Sequence, residues 1–475
     1  MIFQNIIEFI VKLFILIFAT YIFYFYYKYF TRPNPLPGPF PLPFIGNLLN
    51  IGYDINKFYE QCQRKYGDIS EILLDRRYII VTRPDYIVKL FAPSEYFMRL
   101  PYSQGMDEIG HYKNGIVFNG DSKSWHYNRQ YFNETLSLKF IDASITHIYQ
   151  LYEEMSGYWQ SLGLQHSLNE NNNNNWSLET DFSAWFHPFT NDVTSMLVTG
   201  KRTYSIATYY NTQSIIKSEY PDALVEDGYR FTEALVKHLE SLLFFANYGP
   251  FIRHYIPIIK SQSNSYLNNR NYLFDKLENI IKKRRKEIEE MQDTEMKTDM
   301  LTSLITAKTV VEYEEFRPMT DKEIRGNLLD AFIGGSGTTA NLFCFMTYYL
   351  CKHPHVKQKM LSEIDYISDK FYASNDLKKL KYCEAIIKET HRLMPGVTII
   401  HRHITKEREF AGYKWPAGTS FHVNVKGAHS HSEFWDNPEV FYPDRFLNND
   451  YDKSAFMPFG GGKRICPGKS LATIQ

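Results

Sequence analysis

The first thirty residues divide this chain into parts that must meet different solvents. From Ile2 to Tyr27 the sequence is apolar except at Gln4, Asn5, Glu8, Lys12 and Thr20, and it approaches the roughly 20 residues that a helix needs to span a bilayer. Glu8 and Lys12 stand one helical turn apart. The run YIFYFYYKYF from Tyr21 to Phe30 suits a membrane interface, and Lys28 and Arg32 mark the side expected to stay cytoplasmic. No small-residue cleavage site follows and the n-region has no basic cluster, so residues 1–30 read as an uncleaved anchor rather than a signal peptide. Six prolines between Pro33 and Pro43 then deny helix, which makes residues 31–50 a stiff connector to a body spanning residues 51–475.

That body is rich enough in apolar side chains to build a large core, with 44% hydrophobic and 16% aromatic residues overall. Its 53 basic residues balance 53 acidic ones, which leaves no global field for nucleic acid. Five scattered cysteines, Cys62, Cys344, Cys351, Cys383 and Cys466, argue against a disulfide framework and for a reducing compartment.

Ser70 to Thr82 alternates like a strand pair, with a turn near Asp75 to Arg77, and helical patterns dominate beyond it. The stretch around Asn169 to Asn175 is polar and low in complexity, and reads as a loop insertion. Tyr266 to Met296, with KKRRKEIEE from Lys282 to Glu290, reads as a long helix with a solvated charged face. Thr320 and Glu323 form a capping box ahead of a long apolar helix. That helix carries Gly334, Gly335 and Gly337, each costing about 1 kcal/mol against alanine. A phosphate loop would need a lysine after its last glycine, and none is there. The remaining reason is a helix locally stripped of side chains over a flat cofactor, with the Thr338 hydroxyl beside it.

Near the end of the chain lies FGGGKRICPG, from Phe459 to Gly468. Three glycines let backbone pass close to a flat ligand, and successive N–H groups near Cys466 are able to hold a thiolate. Arg464 adds a positive charge that lowers a thiol pKa or pairs with an anionic ligand group. At every fixed position this loop resembles the haem-binding signature of the cytochrome P450 family. Glu389 and Arg392 share one face of a predicted helix, and FYPDRF at Phe441 to Phe446 resembles the element whose arginine, here Arg445, completes a structural triad behind that loop.

The resemblance covers Pro35 to Gln475 and implies a mainly helical fold with a smaller β region. It implies haem b, with Cys466 as axial ligand to iron and Phe459 and Gly462 in the loop that holds it. Trp125, Arg129, Arg402 and Arg464 are implied as partners of the propionates, with His401 and His403 flanking Arg402. Thr338 is implied as the catalytic hydroxyl that steadies dioxygen. Val117, Phe118, Phe332, Ile333, Ile399 and Ile400 are implied as the substrate pocket. The activity implied is a monooxygenase acting on an apolar organic substrate, fed from NADPH through a flavin reductase that docks near Lys463 and Lys469. The localisation implied is the endoplasmic reticulum membrane, crossed once, with the catalytic body in the cytosol.

The pattern is departed from twice. Gly337 stands where the family carries an acid for proton relay, leaving Ser336, Thr339 or water as candidates. Only nine residues follow Cys466, so the chain reads as truncated at its C-terminus. Two alternatives therefore stay open: an oxygen-independent haem-thiolate isomerase or dehydratase of oxygenated lipids, and a non-catalytic haem-binding remnant.

Overall fold

The computed structural model describes residues 2–52, 54–91, 97–98, 103–169, 176–290, 299–307, 309–311, 314–366, 377–448 and 451–474. Most of the tract expected as a loop insertion, residues 170–175, lies outside them. Helices make up most of the chain, and a five-stranded sheet forms a smaller region beside them.

The N-terminal helix Ile2–Phe30 is long and apolar enough to cross a membrane, and its large side chains are exposed over most of its length. Where it meets the connector, Tyr21 stacks on Phe44 at 4.3 Å and Tyr26 on Phe40 at 5.3 Å. The proline-rich connector is fastened to the sheet. Leu36 N–H donates to Glu71 Oε2 at 3.2 Å, Glu71 N–H donates to Pro37 O at 3.0 Å, and Arg32 pairs with the Glu71 carboxylate at 2.5 Å. A run that forms no ladder of its own thus borrows partners from a strand edge.

Strands Ile69–Leu73 and Arg77–Val81 pair antiparallel around residues 74–76, where the turn is expected. Arg77–Val81 then runs parallel to Ser420–Asn424, which pairs antiparallel with Ile399–Ile404, and Phe97–Met98 closes the edge. Distant segments of sequence therefore meet in one sheet, and Ile399–Ile404 presents alternate side chains to its two faces.

The centre of the helical part is Asp321–Lys352, begun by the Thr320–Glu323 capping box. It packs most extensively on Phe182–Thr199 and also meets Gly228–Asn247 and Pro257–Glu290. Of Gly334, Gly335 and Gly337, two have packing reasons. A Cβ on Gly335 would lie 2.5 Å from Thr194 Oγ1, and one on Gly337 would lie 3.3 Å from Leu239 Cδ2. Only Gly334 faces open space, so the expectation of a helix stripped for a cofactor applies to one glycine of three; the other two let neighbouring helices approach.

The charged helix spans Pro257–Glu290, with residues 291–296 of the expected range outside the described set. Lys282, Lys283 and Lys286 are solvated as expected. Arg284 departs from that pattern: it is buried, and it donates to Asp299 Oδ2 and Thr302 Oγ1 at 2.6 Å each and to Thr199 O at 2.6 Å.

Candidate functional site

The site is built around a cysteine whose loop is anchored from behind. Cys466 N–H donates to Phe459 O at 3.0 Å, which folds the segment into a closed turn. Gly460 and Gly462 adopt φ of 71° and 66°, a region that costs little only for glycine. The helix Pro84–Phe91 lies so close that a Cβ on Gly462 would sit 2.0 Å from Phe91 O, and one on Gly461 would sit 2.7 Å from the Phe91 ring. Cys466 itself is half-buried. Phe91 carries no sequence signal, since an aromatic residue in an amphipathic helix looks like ordinary core.

Behind the loop, Glu389 and Arg392 on the helix Lys381–Leu393 form a fully buried two-pronged ion pair at 2.7 and 2.8 Å. Arg445 Nε reaches the same carboxylate at 3.2 Å, and Tyr442 N–H donates to it at 2.9 Å. Arg392 also donates to His429 O, Pro438 O and Val440 O at 3.0, 2.7 and 3.2 Å. A buried charge pair is costly unless its remaining donors are satisfied, and here backbone carbonyls satisfy them. The bracing then continues stepwise. Met457 N–H donates to His429 Nε2 at 2.9 Å, and Gly460 N–H donates to Met457 O at 3.0 Å. Burial lowers the His429 pKa to about 3, which keeps Nε2 free of a proton and able to accept. His429 is a further residue that sequence reasoning missed.

Arg464, Trp125 and Arg129 come together. The Arg464 guanidinium stacks 4.1 Å from the buried Trp125 ring, with Arg129 5.9 Å away on that ring. Arg464 also donates to Ile116 O at 3.3 Å and Asn119 O at 2.9 Å, which ties the cysteine loop to the Val117–Phe118 segment. Arg402 lies on another side, buried, 4.8 Å from the Phe91 ring. His401 and His403 do not share its place. Strand alternation puts them on the opposite face, where His401 meets Tyr78 and His422 and His403 meets Ser420 Oγ at 3.1 Å.

The same alternation separates two pocket candidates. Ile400 Cδ1 lies 3.4 Å from a Cβ position on Gly460, on the face of the cysteine loop. Ile399 packs instead with the Phe58, Tyr59, Ile72 and Tyr78 cluster on the far face. Phe332 is likewise a core residue, fully buried edge-to-face with Phe231 at 5.3 Å, and Ile333 belongs to the same buried cluster. Val117 and Phe118 are half-buried.

On the long helix, Thr338 Oγ1 donates to Gly334 O at 2.8 Å, and the pair forms the open part of the helix face. Ser336 is turned away: its Oγ donates to Asn191 Oδ1 at 3.2 Å, and its carbonyl accepts from Thr190 Oγ1 at 2.8 Å. Thr339 is buried.

Asp330, two turns before Thr338, was not legible from sequence. Its Oδ2 accepts from Ile116 N–H and Val117 N–H at 2.6 and 2.7 Å, and its Oδ1 faces His111 Nδ1 at 3.1 Å. Gly115 and Gly326 permit this approach, since a Cβ on either would collide with Asp330 Oδ2 or Asn114. The Val117–Phe118 segment is therefore held at both ends, by a carboxylate on its amides and by Arg464 on its carbonyls.

The residues present fit a haem. They supply one half-buried thiol on a braced loop, three arginines around it, and an open glycine-threonine face. Two buried nitrogens of His391, whose ring meets Phe459 at 5.3 Å, find no partner among the described residues and leave polar capacity beside the loop.

Comparison with known proteins agrees. The sequence profile of Cytochrome P450 matches residues 36–475. Ferruginol synthase of Isodon rubescens is 26% identical over 441 residues, covering 90% of this chain and 83% of that protein. Tabersonine 6,7-epoxidase isoform 1 of Catharanthus roseus is 32% identical over 204 residues, 42% of this chain and 40% of that one. The retinoic acid-bound cyanobacterial CYP120A1 superposes with a TM-score of 0.71 at 20% identity, covering 92% and 88% of the two chains; that likeness concerns the fold. With that profile matching nearly all of its length after the N-terminal helix, this chain belongs to the cytochrome P450 family of haem-thiolate monooxygenases.

Proposed function

We propose that this protein is anchored in a membrane by Ile2–Phe30, holds haem b through Cys466, and inserts one oxygen atom of dioxygen into an apolar organic substrate. The observation that carries the reading is the cysteine loop suspended from the Glu389, Arg392 and Arg445 triad through His429 and Met457. When bound, the haem supplies iron whose thiolate ligand favours O–O cleavage. The chain's own residues do the rest. Arg464, Arg129 and Arg402 would bind the propionates as charge-assisted donors, with Trp125 backing the first two, and Phe459 and Gly462 would shape the loop that holds the haem. Thr338 presents a hydroxyl on the open face, and Val117, Phe118 and Ile400 contribute apolar wall.

Electrons come from NADPH through a flavin reductase. Lys463 and Lys469 are exposed on the side of the cysteine loop and suit an acidic docking face. The body faces the cytosol from the endoplasmic reticulum, in keeping with Lys28 and Arg32 at the end of the apolar helix and with five scattered cysteines. A second reading has one observation in its favour. Leu239 covers Gly337, where the relay acid is missing, and an isomerase or dehydratase of oxygenated lipids needs no such acid. Turnover decides between the two. Product formation that requires NADPH, reductase and dioxygen supports the monooxygenase; conversion of a lipid peroxide without them would sink it.

A further inference from the structure

The proline-rich connector turns back along the N-terminal helix instead of leading straight away from it. The Phe44 ring stacks on Tyr21 at 4.3 Å and on Phe18 at 5.8 Å, and the Phe40 ring meets Tyr26 at 5.3 Å and Tyr29 at 5.5 Å. Tyr21 precedes Lys28 by seven residues, which is about 10 Å of helix. With Lys28 and Arg32 at the polar boundary of the membrane, the connector tip around Phe44 lies beside the helix at the depth of the upper acyl chains.

Three properties of the tip suit that depth. Its outer surface is apolar: Phe40, Leu42 and Phe44 are 54%, 44% and 62% exposed, and no charged residue stands between Arg32 and Asp54. Its N–H groups are met without water. Pro41 and Pro43 have none to offer, Leu42 and Gly46 exchange backbone bonds at 2.9 and 2.8 Å, and Ile45 N–H donates to Pro43 O at 2.9 Å. Phe44 N–H donates to the Tyr21 hydroxyl at 3.3 Å, and Asn47 N–H donates to Leu73 O at 2.7 Å. An unmet donor costs several kcal/mol in hydrocarbon, and residues 41–47 present none. The third property is strain. Phe44 has a φ of 69°, where a bulky side chain is disfavoured and glycine would hold the turn more easily. The turn therefore keeps its aromatic ring at a cost that the ring's contacts must offset.

Both ends of the tip are tied to the body. Leu36 and Pro37 are held by Glu71, and Asn47 Oδ1 accepts from Leu73 N–H at 2.8 Å. We propose that residues 40–44 are a second membrane contact, an apolar wedge set among the upper acyl chains of the bilayer that Ile2–Phe30 crosses. The wedge fixes the attitude of the edge strand Ile69–Leu73, and with it the body, to the membrane surface. The inference rests on the membrane-anchor reading and adds a lipid-facing surface outside the helix.

The test uses the full-length protein in phosphatidylcholine vesicles that contain a photoactivatable phospholipid, its diazirine placed either on an upper acyl carbon or on the headgroup, with labelled residues read by mass spectrometry. The acyl probe marks residues 40–44 as well as residues 9–18, and leaves the exposed Lys282 and Lys283 unmarked. The double variant Phe40→Asp, Phe44→Asp loses acyl label on the tip and keeps it on the helix. Acyl label on the helix with none on the wild-type tip overturns this inference alone, as does a tip marked only by the headgroup probe or acyl labelling of the tip that survives the double variant. Acyl label on neither segment overturns the anchor reading and this inference with it.

Discussion

The two sides of the candidate site are built by opposite means. Behind Cys466, the Glu389 carboxylate meets two guanidinium groups and a backbone N–H, and the surplus donors of Arg392 end on carbonyls. On the other side, the long helix offers an open glycine and a threonine bonded to its own backbone. One side has its charged triad satisfied before any ligand arrives, and the other is completed by what it binds. A loop that must hold one ligand atom gains from rigidity, while a face that must admit a substrate cannot be filled by its own side chains.

Breaking the satisfied side should have the largest effect. Glu389→Ala leaves the buried Arg392 and the half-buried Arg445 without their carboxylate and should cost about 3–5 kcal/mol, read as a lowered urea midpoint and lost haem. Acid should loosen the same side. The pKa of His391 is lowered to about 4 and that of His429 to about 3, both chiefly by burial. Both are therefore neutral when folded, yet take up protons when unfolded below the ordinary histidine value of about 6.5. Their contribution is complete above that pH and is lost as pH falls toward the folded values, at about 1.4 kcal/mol per pH unit for each histidine. Urea midpoints should fall between pH 7 and 5, with other buried histidines such as His238 and His422 adding to the slope, and in His391→Leu the slope should drop by the share of one histidine; an unchanged slope would show that His391 does not carry it.

Much of the satisfied side was legible in the sequence because its chemistry lies in short motifs. The cysteine loop, the Glu389–Arg392 spacing and the Phe441–Phe446 element each sit within ten residues, as does the Thr320 capping box. The other side was less legible because its contacts cross the chain. Asp330 reads as one polar residue in an apolar helix, and nothing near it announces that the amides of Ile116 and Val117 close on it. The faces of Ile399 and Ile400 follow from strand alternation, but only once the strand's partners are known. Gly334, Gly335 and Gly337 look alike in sequence and differ only in what lies over them.

Those glycines sharpen the comparison. Gly335→Ala drives a methyl into Thr194 and should cost about 1–3 kcal/mol. Gly334→Ala meets open space and should gain up to about 1 kcal/mol of helix propensity in the haem-free protein, while haem uptake falls. Equal losses at both positions would contradict the assignment of separate roles. Gly337→Asp should also cost stability, because it buries a carboxylate beside Leu239. Its signature is functional: more product per dioxygen consumed if the missing acid limits proton delivery, and no change if another route serves.

The most direct measurement of the central claim is the reduced carbon monoxide spectrum of the full-length protein beside that of Cys466→Ser. The account predicts one haem per chain and a red-shifted Soret band in the wild type, with that band absent from the variant. A wild-type band at the position of a haem with a neutral ligand, or a red-shifted band that persists in Cys466→Ser, would contradict it.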